Sequence, residues 1–472
     1  MSKCIVSRKV RIPKTCVSKE KIEKDLILTD KRSEFASRDS FVCFKELERN
    51  YIVPKMYGTN LIRELGLPFV DIQRDGDDVD IRFTGSLREP QINVVQSTID
   101  ALTEIEGGVM SLYCGFGKTT CSLNISCHFK KKTLILVHTS SLAEQWKERI
   151  EQFVDNSSVG KLQGNIIDTD DKTHVIGMMQ SICKRDYPPD ILNSFGMIIV
   201  DECHHIAAET FSKCIEKVGC KLRLGLSATL KRNDGMSPFI YSALGPVCAH
   251  VDREKEEVLV DIVKIENGPN DIVLMYRKGK QSPNTARMIT NLCIEGEQRA
   301  EFRTSVIIRA IQKAHDKGRH IIVLSGRREH LKWIGKLLDD LDISNGLMIG
   351  GIKPDKIEEV SKSRVVLATY SFASEGLDIP SLDTLFFVTP MSETTQCVGR
   401  ILRYCPGKQT PMIVDFVDEC SVFLGQAKKR ERYYKKLGST VFRLDENLEI
   451  QNQVSKKCRQ TLLEGFQFEL DD

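Results

Sequence analysis

Two adjacent acids, Asp201 and Glu202, come directly after an apolar run at residues 197–200, Met-Ile-Ile-Val. Such a run is typical of a strand buried in a parallel sheet, and the carboxyl ends of these strands are where open α/β sheets place their ligands. There Asp201 can hold a magnesium ion, and Glu202 can orient or deprotonate a water molecule. Taken alone, the two acids fit an acidic turn equally well.

A glycine-rich segment predicts a loop that binds phosphate. Residues 114–120, Cys-Gly-Phe-Gly-Lys-Thr-Thr, lie between a predicted strand and a predicted helix. Gly115 and Gly117 let backbone amides turn toward phosphate oxygens, and the helix N-terminus adds the positive end of its dipole. Lys118 would reach the β- and γ-phosphates, and Thr119 would bind the magnesium ion.

The two segments together predict an ATPase with ATP and Mg²⁺ as its cofactors. The strict P-loop pattern has a glycine at position 112, where this chain has Leu112, so the short glycine motif alone is not specific. The flanking strand and helix, and the acidic strand end about 80 residues later, remove most of that ambiguity. We expect Thr119 and Asp201 to be the metal ligands and Glu202 to be the catalytic base.

Strands alternate with helices over two long stretches, which predicts βαβ units and parallel sheets. The predicted strands lie at 109–112, 133–137, 173–177, 196–200 and 222–224, and then at 320–324, 364–367, 384–388 and 412–414. The fold class is therefore α/β, with two tandem parallel-sheet domains and a small N-terminal accessory domain. We expect an accessory domain at 1–85, an ATP-binding domain at 86–250, a connector at 251–300, a second domain at 301–440 and a tail at 441–472.

The accessory domain carries weaker signals. Residues 25–28 and 51–54 are expected to be strands, and residues 75–78, Asp-Gly-Asp-Asp, are expected to form a turn of a hairpin. No motif in this segment indicates a function.

The composition indicates a soluble intracellular protein. Hydrophobic residues make up 41% of the 472 residues and charged residues 28%, and no apolar stretch is long enough to cross a bilayer or to form a signal peptide. The 16 cysteines include no Cys-x-x-Cys pair, so we expect reduced thiols rather than zinc or disulfides. A net charge of +3 does not by itself indicate a polyanion partner, but it allows a local basic cleft.

Further segments, in a fixed order along the chain, resemble the motifs of superfamily 2 helicases. The resembling segments are Leu-Arg-Glu-Pro-Gln at 87–91, the acidic box at 201–204, Leu-Gly-Leu-Ser-Ala-Thr at 224–229, the segment 369–380, and Gln-Cys-Val-Gly-Arg-Ile-Leu-Arg at 396–403. The resemblance covers about residues 86–435. Within the superfamily it is nearest to the branch of the xeroderma group B and phage recombination helicases, and to the poxvirus transcript-release type of large DNA viruses.

The resemblance implies two RecA-like domains with ATP at the seam between them. Gln91 would read adenine, and Asp378 and Gln396 would complete the nucleotide site. Arg400 and Arg403 would come from the second domain to the γ-phosphate. His204 or His205 could hydrogen-bond Gln396, although for His205 a core position is the preferred interpretation.

The resemblance also implies a path for nucleic acid across both domains, held mainly through its phosphates. The expected contact or coupling residues are Thr139, Ser227, Thr229, Arg327 and Thr369. Residues 180–181 are a further candidate. Several of these hydroxyl residues are equally plausible helix N-caps.

DNA is the expected partner, because the segment from Thr369 to the following glycine is one residue longer than in the RNA-only branch. The family resemblance further implies a 3′-5′ helicase of viral transcription, recombination or repair. Transcription or replication machinery would be its protein partners, and the host cytoplasm, nucleus or virion its location. An RNA helicase and a nucleic-acid-binding scaffold with a decayed ATPase are the alternatives. Cys397, where many relatives carry arginine, removes one basic contact.

Overall fold

A computed structural model describes residues 2–29, 40–207, 209–228, 235–277, 280–352, 354–375 and 377–451. The chain forms two compact units, Met1–Asp252 and Arg253–Asp472. Thr229 lies outside the described residues, as does most of the expected tail.

The first unit begins with a small mixed sheet. Its elements are β1 (Cys4–Val6), β2 (Lys9–Pro13), α1 (Lys19–Leu26), β3 (Ile27–Thr29), β4 (Ser40–Val42), β5 (Lys45–Glu46), β6 (Asn50–Pro54), α2 (Lys55–Leu65), β7 (Phe69–Asp71) and β8 (Arg82–Phe83). The sheet has the strand order β5-β6-β2-β1-β7, in which only β1 and β7 run parallel. Residues 25–28, expected as a strand, contain the last two residues of α1 and the first two of β3.

The hairpin expected around residues 75–78 does not form. Strand β7 pairs with β1, whereas β8 pairs with a strand much later in the chain, at residues 154–155. Gly76 has φ +69°, and a Cβ atom there would lie 2.1 Å from the amide nitrogen of Gly196. The Asp77 N–H donates to the Ser194 carbonyl at 2.8 Å. This turn therefore packs on the backbone that leads into the acidic box, where only glycine fits.

The rest of the first unit is an α/β sheet. Its elements are α3 (Glu89–Ile105), β9 (Gly107–Leu112), α4 (Lys118–Phe129), β10 (Thr133–Val137), α5 (Ser140–Phe153), β11 (Val154–Asp155), β12 (Val159–Gln163), β13 (Ile166–Asp168), β14 (His174–Met178), α6 (Met179–Lys184), α7 (Pro189–Asn193), β15 (Met197–Val200), a 3₁₀ turn (Cys203–Ala207), α8 (Glu209–Lys217), β16 (Leu222–Ser227), α9 (Ser237–Leu244) and β17 (Val247–Val251). The strand order is β13-β12-β14-β10-β15-β16-β9-β17, and only the β12–β13 pair is antiparallel. The central strands are apolar because both of their faces are buried.

Two buried cations join the N-terminal sheet to this α/β sheet. The Arg223 guanidinium, in β16, donates to the carbonyls of Ala243 at 3.0 Å and Arg8 at 2.8 Å. Lys55, at the start of α2, is fully buried and pairs with Glu106 at 3.1 Å. Burial lowers the pKa of Lys55 to about 8. The accessory segment is thus anchored in the core of the first unit, since unpaired buried cations would be costly.

The second unit is built on another parallel sheet. Its elements are β18 (Leu259–Ile265), β19 (Leu274–Arg277), β20 (Lys280–Pro283), α10 (Thr285–Asn291), α11 (Gln298–Asp316), β21 (Ile321–Ser325), α12 (Arg328–Asp339), β22 (Asn345–Met348), α13 (Pro354–Ser361), β23 (Val365–Thr369), α14 (Tyr370–Glu375), β24 (Thr384–Phe387), α15 (Thr395–Ile401), β25 (Met412–Asp418), α16 (Ser421–Leu437) and β26 (Thr440–Leu444). The strand order is β22-β23-β21-β24-β25-β18-β26, and among the described residues all neighbouring strands of this sheet run parallel.

Part of the expected connector belongs to this sheet. Strand β18 pairs along its length with β25, and Arg303 of α11 forms a buried ion pair with Asp418 at the end of β25. Residues 259–265, Leu-Val-Asp-Ile-Val-Lys-Ile, form this seven-residue strand, which was not predicted from the sequence. The domain boundaries expected from the sequence stay a prediction. The α/β class with parallel sheets is confirmed.

Within the described part of the chain, no helix combines the length and apolar character that crossing a membrane requires.

His174 gives the first unit a dependence of stability on pH. Its ring is fully buried beside the hydroxyls of Ser126, at 3.2 Å, and Thr173, at 3.0 Å. Burial lowers the pKa of His174 from 6.5 to about 4, so the folded state binds fewer protons than the unfolded state between these values. Its contribution to stability is complete above pH 6.5 and is lost as the pH falls toward 4.

We predict that the free energy of unfolding of the wild type exceeds that of His174→Gln by about 2 kcal/mol less at about pH 5 than at pH 7. The reason is that only the wild type carries the buried imidazole. Urea unfolding of the first unit at the two pH values measures it. His128→Gln, on the exposed face of α4, is the control and should leave the pH dependence unchanged. A gap that stays constant would contradict the assignment.

Candidate functional site

The glycine-rich segment forms a loop between β9 and α4, as its sequence indicates. Gly115 has φ +91° and Gly117 has φ +98°, and both values belong to the left-handed region that glycine adopts without strain. A Cβ atom at Gly117 would lie 2.4 Å from the side-chain nitrogen Nε2 of Gln91. Lys118 and Thr119 are the first two residues of α4 and are partly exposed. The loop therefore presents backbone amides and a helix N-terminus together, which is the arrangement that binds phosphate.

Gln91 is buried against this loop. Its side chain donates to the Phe116 carbonyl at 2.8 Å and accepts from the Arg88 amide at 2.8 Å. The Arg88 guanidinium also donates to the Phe116 carbonyl, and it lies 5.9 Å from the centre of the Phe116 ring. The start of α3 thus holds the phosphate loop. Arg88 was missed by the sequence reasoning, although its place three residues before Gln91 would have indicated it.

The two acids stand at the carboxyl end of β15, beside the loop lysine. The Lys118 ammonium lies 3.6 Å from a Glu202 carboxylate oxygen, and both side chains are mostly buried. Glu202 has φ +44°, a left-handed conformation that costs a residue with a Cβ atom roughly 1–2 kcal/mol. Such strain persists only where the surroundings impose it, and it is frequent at functional sites. The strained turn directs Glu202 toward Lys118.

Asp201 is held by an indole. The Trp146 Nε1–H, from α5, donates to one Asp201 carboxylate oxygen at 2.9 Å, and the Glu202 amide donates to the other at 2.9 Å. Burial, followed by the Glu202 charge, raises the pKa of Asp201, whereas Lys118 and the Trp146 donor act in the opposite direction. Nothing in the sequence around Trp146 indicated this contact, because the two residues are 55 positions apart.

A stack of three imidazoles starts at the acidic box. The Nδ1 atom of His204 lies 3.1 Å from the hydroxyl of Ser227 and 3.4 Å from a Glu202 oxygen. The His204 ring is 4.3 Å from that of His205, which in turn is 3.9 Å from the ring of His138. His205 is therefore half-buried within a stack rather than a core residue. The stack connects the end of β15 with the end of β10.

The expected nucleic-acid residues of the first unit lie at the ends of β10 and β14. The Thr139 hydroxyl accepts from the Leu142 amide at 3.3 Å and caps α5. The Gln180 side chain donates to the His138 carbonyl at 2.7 Å, and the Ser181 hydroxyl accepts from the Gly164 amide at 3.0 Å. Thr139 is therefore the N-cap of α5.

In the second unit, the two motif arginines have different surroundings. Arg400 is 8% exposed and donates to the backbone carbonyls of Ala373, at 2.8 Å, and Leu377, at 2.9 Å, as well as to that of Ser374. Arg403 is more accessible and forms an ion pair with Asp378. Arg400 therefore fixes the end of α14, whereas Arg403 can exchange one partner for another.

Other predicted residues of the second unit lie at strand ends. Gln396 is half-buried in α15, next to Cys397, whose thiol is buried in the apolar core where an arginine would not fit. The Arg327 guanidinium donates to the Thr290 hydroxyl at 3.0 Å and the Ala286 carbonyl at 2.5 Å, so it joins α10 to the end of β21. Thr369 ends β23 and is half-buried.

The residues expected to bind magnesium fit that ion. Thr119 and Asp201 offer a hydroxyl and a carboxylate, and oxygen donors are what Mg²⁺ prefers. Protein sites usually bind Mg²⁺ through one or two carboxylates together with substrate phosphates and water.

Sequence comparisons identify the relatives of this chain. Residues 84–232 match the family model described as "Type III restriction enzyme, res subunit". A protein of Acanthamoeba polyphaga mimivirus, named as an ATP-dependent RNA helicase, is 34% identical over 82% of this chain and 75% of its own length. A protein of Invertebrate iridescent virus 6, named as a helicase, is 26% identical over 77% of this chain and 84% of its own length.

Two solved structures share the fold. A fragment of an HsdR subunit of a type I restriction enzyme from Vibrio vulnificus has a TM-score of 0.55 at 17% identity, and the match covers 79% of this chain and 71% of that one. S. cerevisiae Dbp5, bound to RNA and ADP BeF3, has a TM-score of 0.55 at 11% identity, over 79% and 93% of the two chains. The expected pair of RecA-like domains is thereby confirmed.

We predict that Trp146→Phe lowers ATP turnover about tenfold or more and raises the magnesium concentration needed for half-maximal rate. Phenylalanine keeps most of the buried ring but removes a donor to a carboxylate, a bond of about 1.5–3 kcal/mol. Steady-state ATP hydrolysis in a magnesium titration measures both effects. Trp333→Phe, at the buried tryptophan of α12, is the matched control. Equal effects of the two substitutions would contradict a specific role for the indole.

Proposed function

Because this chain belongs to the superfamily 2 helicases of large DNA viruses, which hydrolyse ATP, we propose that it uses ATP to move along DNA and to separate or remodel its strands. The observation that carries the proposal is the approach of Lys118 to Glu202, at 3.6 Å, beside the glycine loop. A decayed ATPase would have no need of a strained, mostly buried acid at this point.

The residues of the first unit suggest how hydrolysis proceeds. The amides of the loop and Lys118 bind the β- and γ-phosphates of ATP and neutralise their charge. Glu202 orients the attacking water and accepts its proton, while Lys118 and His204 on either side hold the carboxylate in place. Thr119 and Asp201 would hold a magnesium ion, which would supply positive charge to the phosphates. Gln91 and Arg88 position the loop, and we propose that Gln91 also recognises adenine.

The second unit would respond to the γ-phosphate through Arg403. The Arg403 side chain is 17% exposed and that of Asp378 35%, so the more exposed carboxylate is the partner that a phosphate would replace. Loss of that contact after hydrolysis would then change the grip on nucleic acid, for which Thr139, Ser227, Arg327 and Thr369 remain the proposed contact or coupling residues. Repeated cycles would yield movement along the strand, with the 3′-5′ direction as our expectation.

RNA is the second candidate substrate. The mimivirus relative is named as an RNA helicase, and Dbp5 was solved with RNA. DNA is favoured here by the longer segment after Thr369 and by the relationship to helicases of DNA viruses. We propose a role in viral transcript release, recombination or repair, in contact with the transcription or replication machinery, in the host cytoplasm or nucleus.

One experiment separates the substrates. ATP hydrolysis is measured with single-stranded DNA, duplex DNA, branched DNA and RNA of matched length, followed by unwinding of the best stimulator. Stimulation by a DNA above that by RNA supports the proposal, and stimulation by RNA alone overturns the choice of DNA. No stimulation by any of the four would overturn the helicase mechanism itself.

We predict that Glu202→Gln abolishes nucleic-acid-stimulated hydrolysis but retains ATP binding, since the amide keeps the shape and removes the base. Turnover and equilibrium binding of a fluorescent ATP analogue are measured in parallel. Lys118→Ala should lose both, because it removes the cation that binds phosphate. Unchanged turnover in Glu202→Gln would disprove the role assigned to this carboxylate.

We predict that Arg403→Ala lowers kcat roughly 10³-fold with little change in ATP affinity, as expected of an arginine that acts in the transition state. Arg400→Ala is the comparison. This substitution should lower the free energy of unfolding by a few kcal/mol, because it leaves buried backbone carbonyls without their hydrogen-bond donor. Kinetics and urea unfolding of both variants test this, and a loss confined to ATP affinity in Arg403→Ala would refute a transition-state role.

A further inference from the structure

A basic groove lies in the first unit, away from the ATP residues, between the outer face of the N-terminal sheet and the segment from α6 to α8. Its volume is about 740 Å³. The cations that line it are Arg8, Lys9, Arg11, Lys45, Lys213 and Lys217, against the carboxylates Asp186 and Glu216. We infer that this groove binds the phosphate backbone of the nucleic acid on which the helicase acts; the inference rests on the proposed function.

The register of the N-terminal sheet aligns one wall of the groove. Lys45 is paired with Ile52, Ile52 with Arg11, and Arg11 with Ile5, so these side chains form a row across four neighbouring strands. Arg11 and Lys45 are exposed, and the isoleucines between them are half-buried. The opposite face of the same strands is buried in the core, for example at Val10 and Val53. The sheet therefore presents two exposed cations in one row, separated by a half-buried isoleucine.

The acids in the groove neutralise only part of its charge. Lys9 pairs with Glu216 at 2.7 Å, and Lys217 pairs with Asp186 at 2.9 Å. The remaining four cations are exposed and form no ion pair with any residue that the structure describes: Arg8, Arg11, Lys45 and Lys213. An excess of unneutralised cations in a concave site attracts a polyanion and releases its counterions on binding.

Helix α6 connects the expected nucleic-acid edge of the sheet with the groove. It contains Gln180 and Ser181 in its first turn, directly after β14, and its six residues span roughly 9 Å. The Lys217 ammonium donates to the carbonyls of Cys183 at 3.2 Å and Arg185 at 2.8 Å, which fixes the far end of α6 at the groove. A strand leaving this edge would reach the groove within a few nucleotides.

The chemistry favours phosphodiesters over other anions. The free cations lie on two separate elements, the sheet and α8, and therefore match charges repeated along a chain rather than one compact anion. Apolar side chains between them suit the sugars and bases of a flexible strand. An acidic peptide is the competing occupant that the experiment must distinguish.

The test uses the full chain with Arg11, Lys45 and Lys213 all changed to alanine. Binding of single-stranded DNA is measured against salt concentration, together with ATP hydrolysis. Each lost phosphate contact removes about 0.7 from the slope of log affinity against log salt, so we expect the slope to fall by about 2. The DNA concentration for half-maximal stimulation should rise about tenfold or more, with kcat at saturating DNA unchanged.

The control carries the same loss of charge elsewhere, with Lys24, Arg49 and Arg74 changed to alanine; all three are exposed and outside the groove. A second groove variant, which carries Arg11→Lys in place of Arg11→Ala, should restore part of the salt slope. Short DNA, which reaches only the sheet edge, should bind both triple variants equally, whereas long DNA should distinguish them.

Three outcomes would overturn the inference. They are an unchanged salt slope, an equal loss in the control, and retained DNA binding with lost binding of polyglutamate. Measurements on the wild type distinguish this failure from that of the proposed function. If DNA stimulates ATP hydrolysis by the wild type and the groove variant binds DNA equally well, only the groove inference is refuted. Absence of any stimulation in the wild type refutes the helicase mechanism.

Discussion

The register of four parallel strands is the constraint on which the first unit depends. Val200, the last residue of β15, pairs with Gly225 of β16, while β15 also pairs with β10. Ser227 of β16 pairs in turn with Ser111 of β9, directly before the phosphate loop. Because all of these strands are parallel, their carboxyl ends meet at one edge of the sheet. A shift of one residue between β15 and β16, or between β16 and β9, would displace the acids relative to the lysine.

Burial gives this edge its electrostatic character. Two acids side by side at a buried strand end repel each other, and desolvation raises the pKa of Asp201 further. Trp146 and Lys118 act against both effects, the first through a hydrogen bond and the second through its charge. The Glu202 backbone is left-handed, at a cost of about 1–2 kcal/mol, and its carboxylate lies 3.6 Å from the Lys118 ammonium.

The N-terminal sheet is part of the same unit for a related reason. Arg223 is the second residue of β16, a fully buried strand, where its guanidinium must find acceptors. It finds them in backbone carbonyls of α9 and of the loop between β1 and β2. Lys55 reaches Glu106 from the other side. These contacts hold the outer face of the N-terminal sheet next to α8 and so form the walls of the basic groove.

The local sequence determined much of the fold and the identity of the principal site residues. Continuous apolar runs such as 133–137 predicted the central strands closely, because strands buried on both faces need no partner to explain their composition. Glycines and a lysine at fixed spacing predicted the phosphate loop, since a phosphate cradle is made within one short segment. By contrast, the hairpin at 75–78 was wrong, and strand β18 in the expected connector was missed. Both depend on distant partners: Gly196 for the first and β25 for the second.

Only the tertiary structure decided which atoms hold the site residues. Trp146 on Asp201, the imidazole stack from His204 to His138, and the carbonyls around Arg400 all join segments far apart in sequence. The local sequence does not indicate these contacts, because tryptophan and histidine also occur in protein interiors without a functional role. The sequence therefore determined which residues can do chemistry. Strand register and buried hydrogen bonds decided how those residues are oriented, because both are set by long-range packing that no single segment contains.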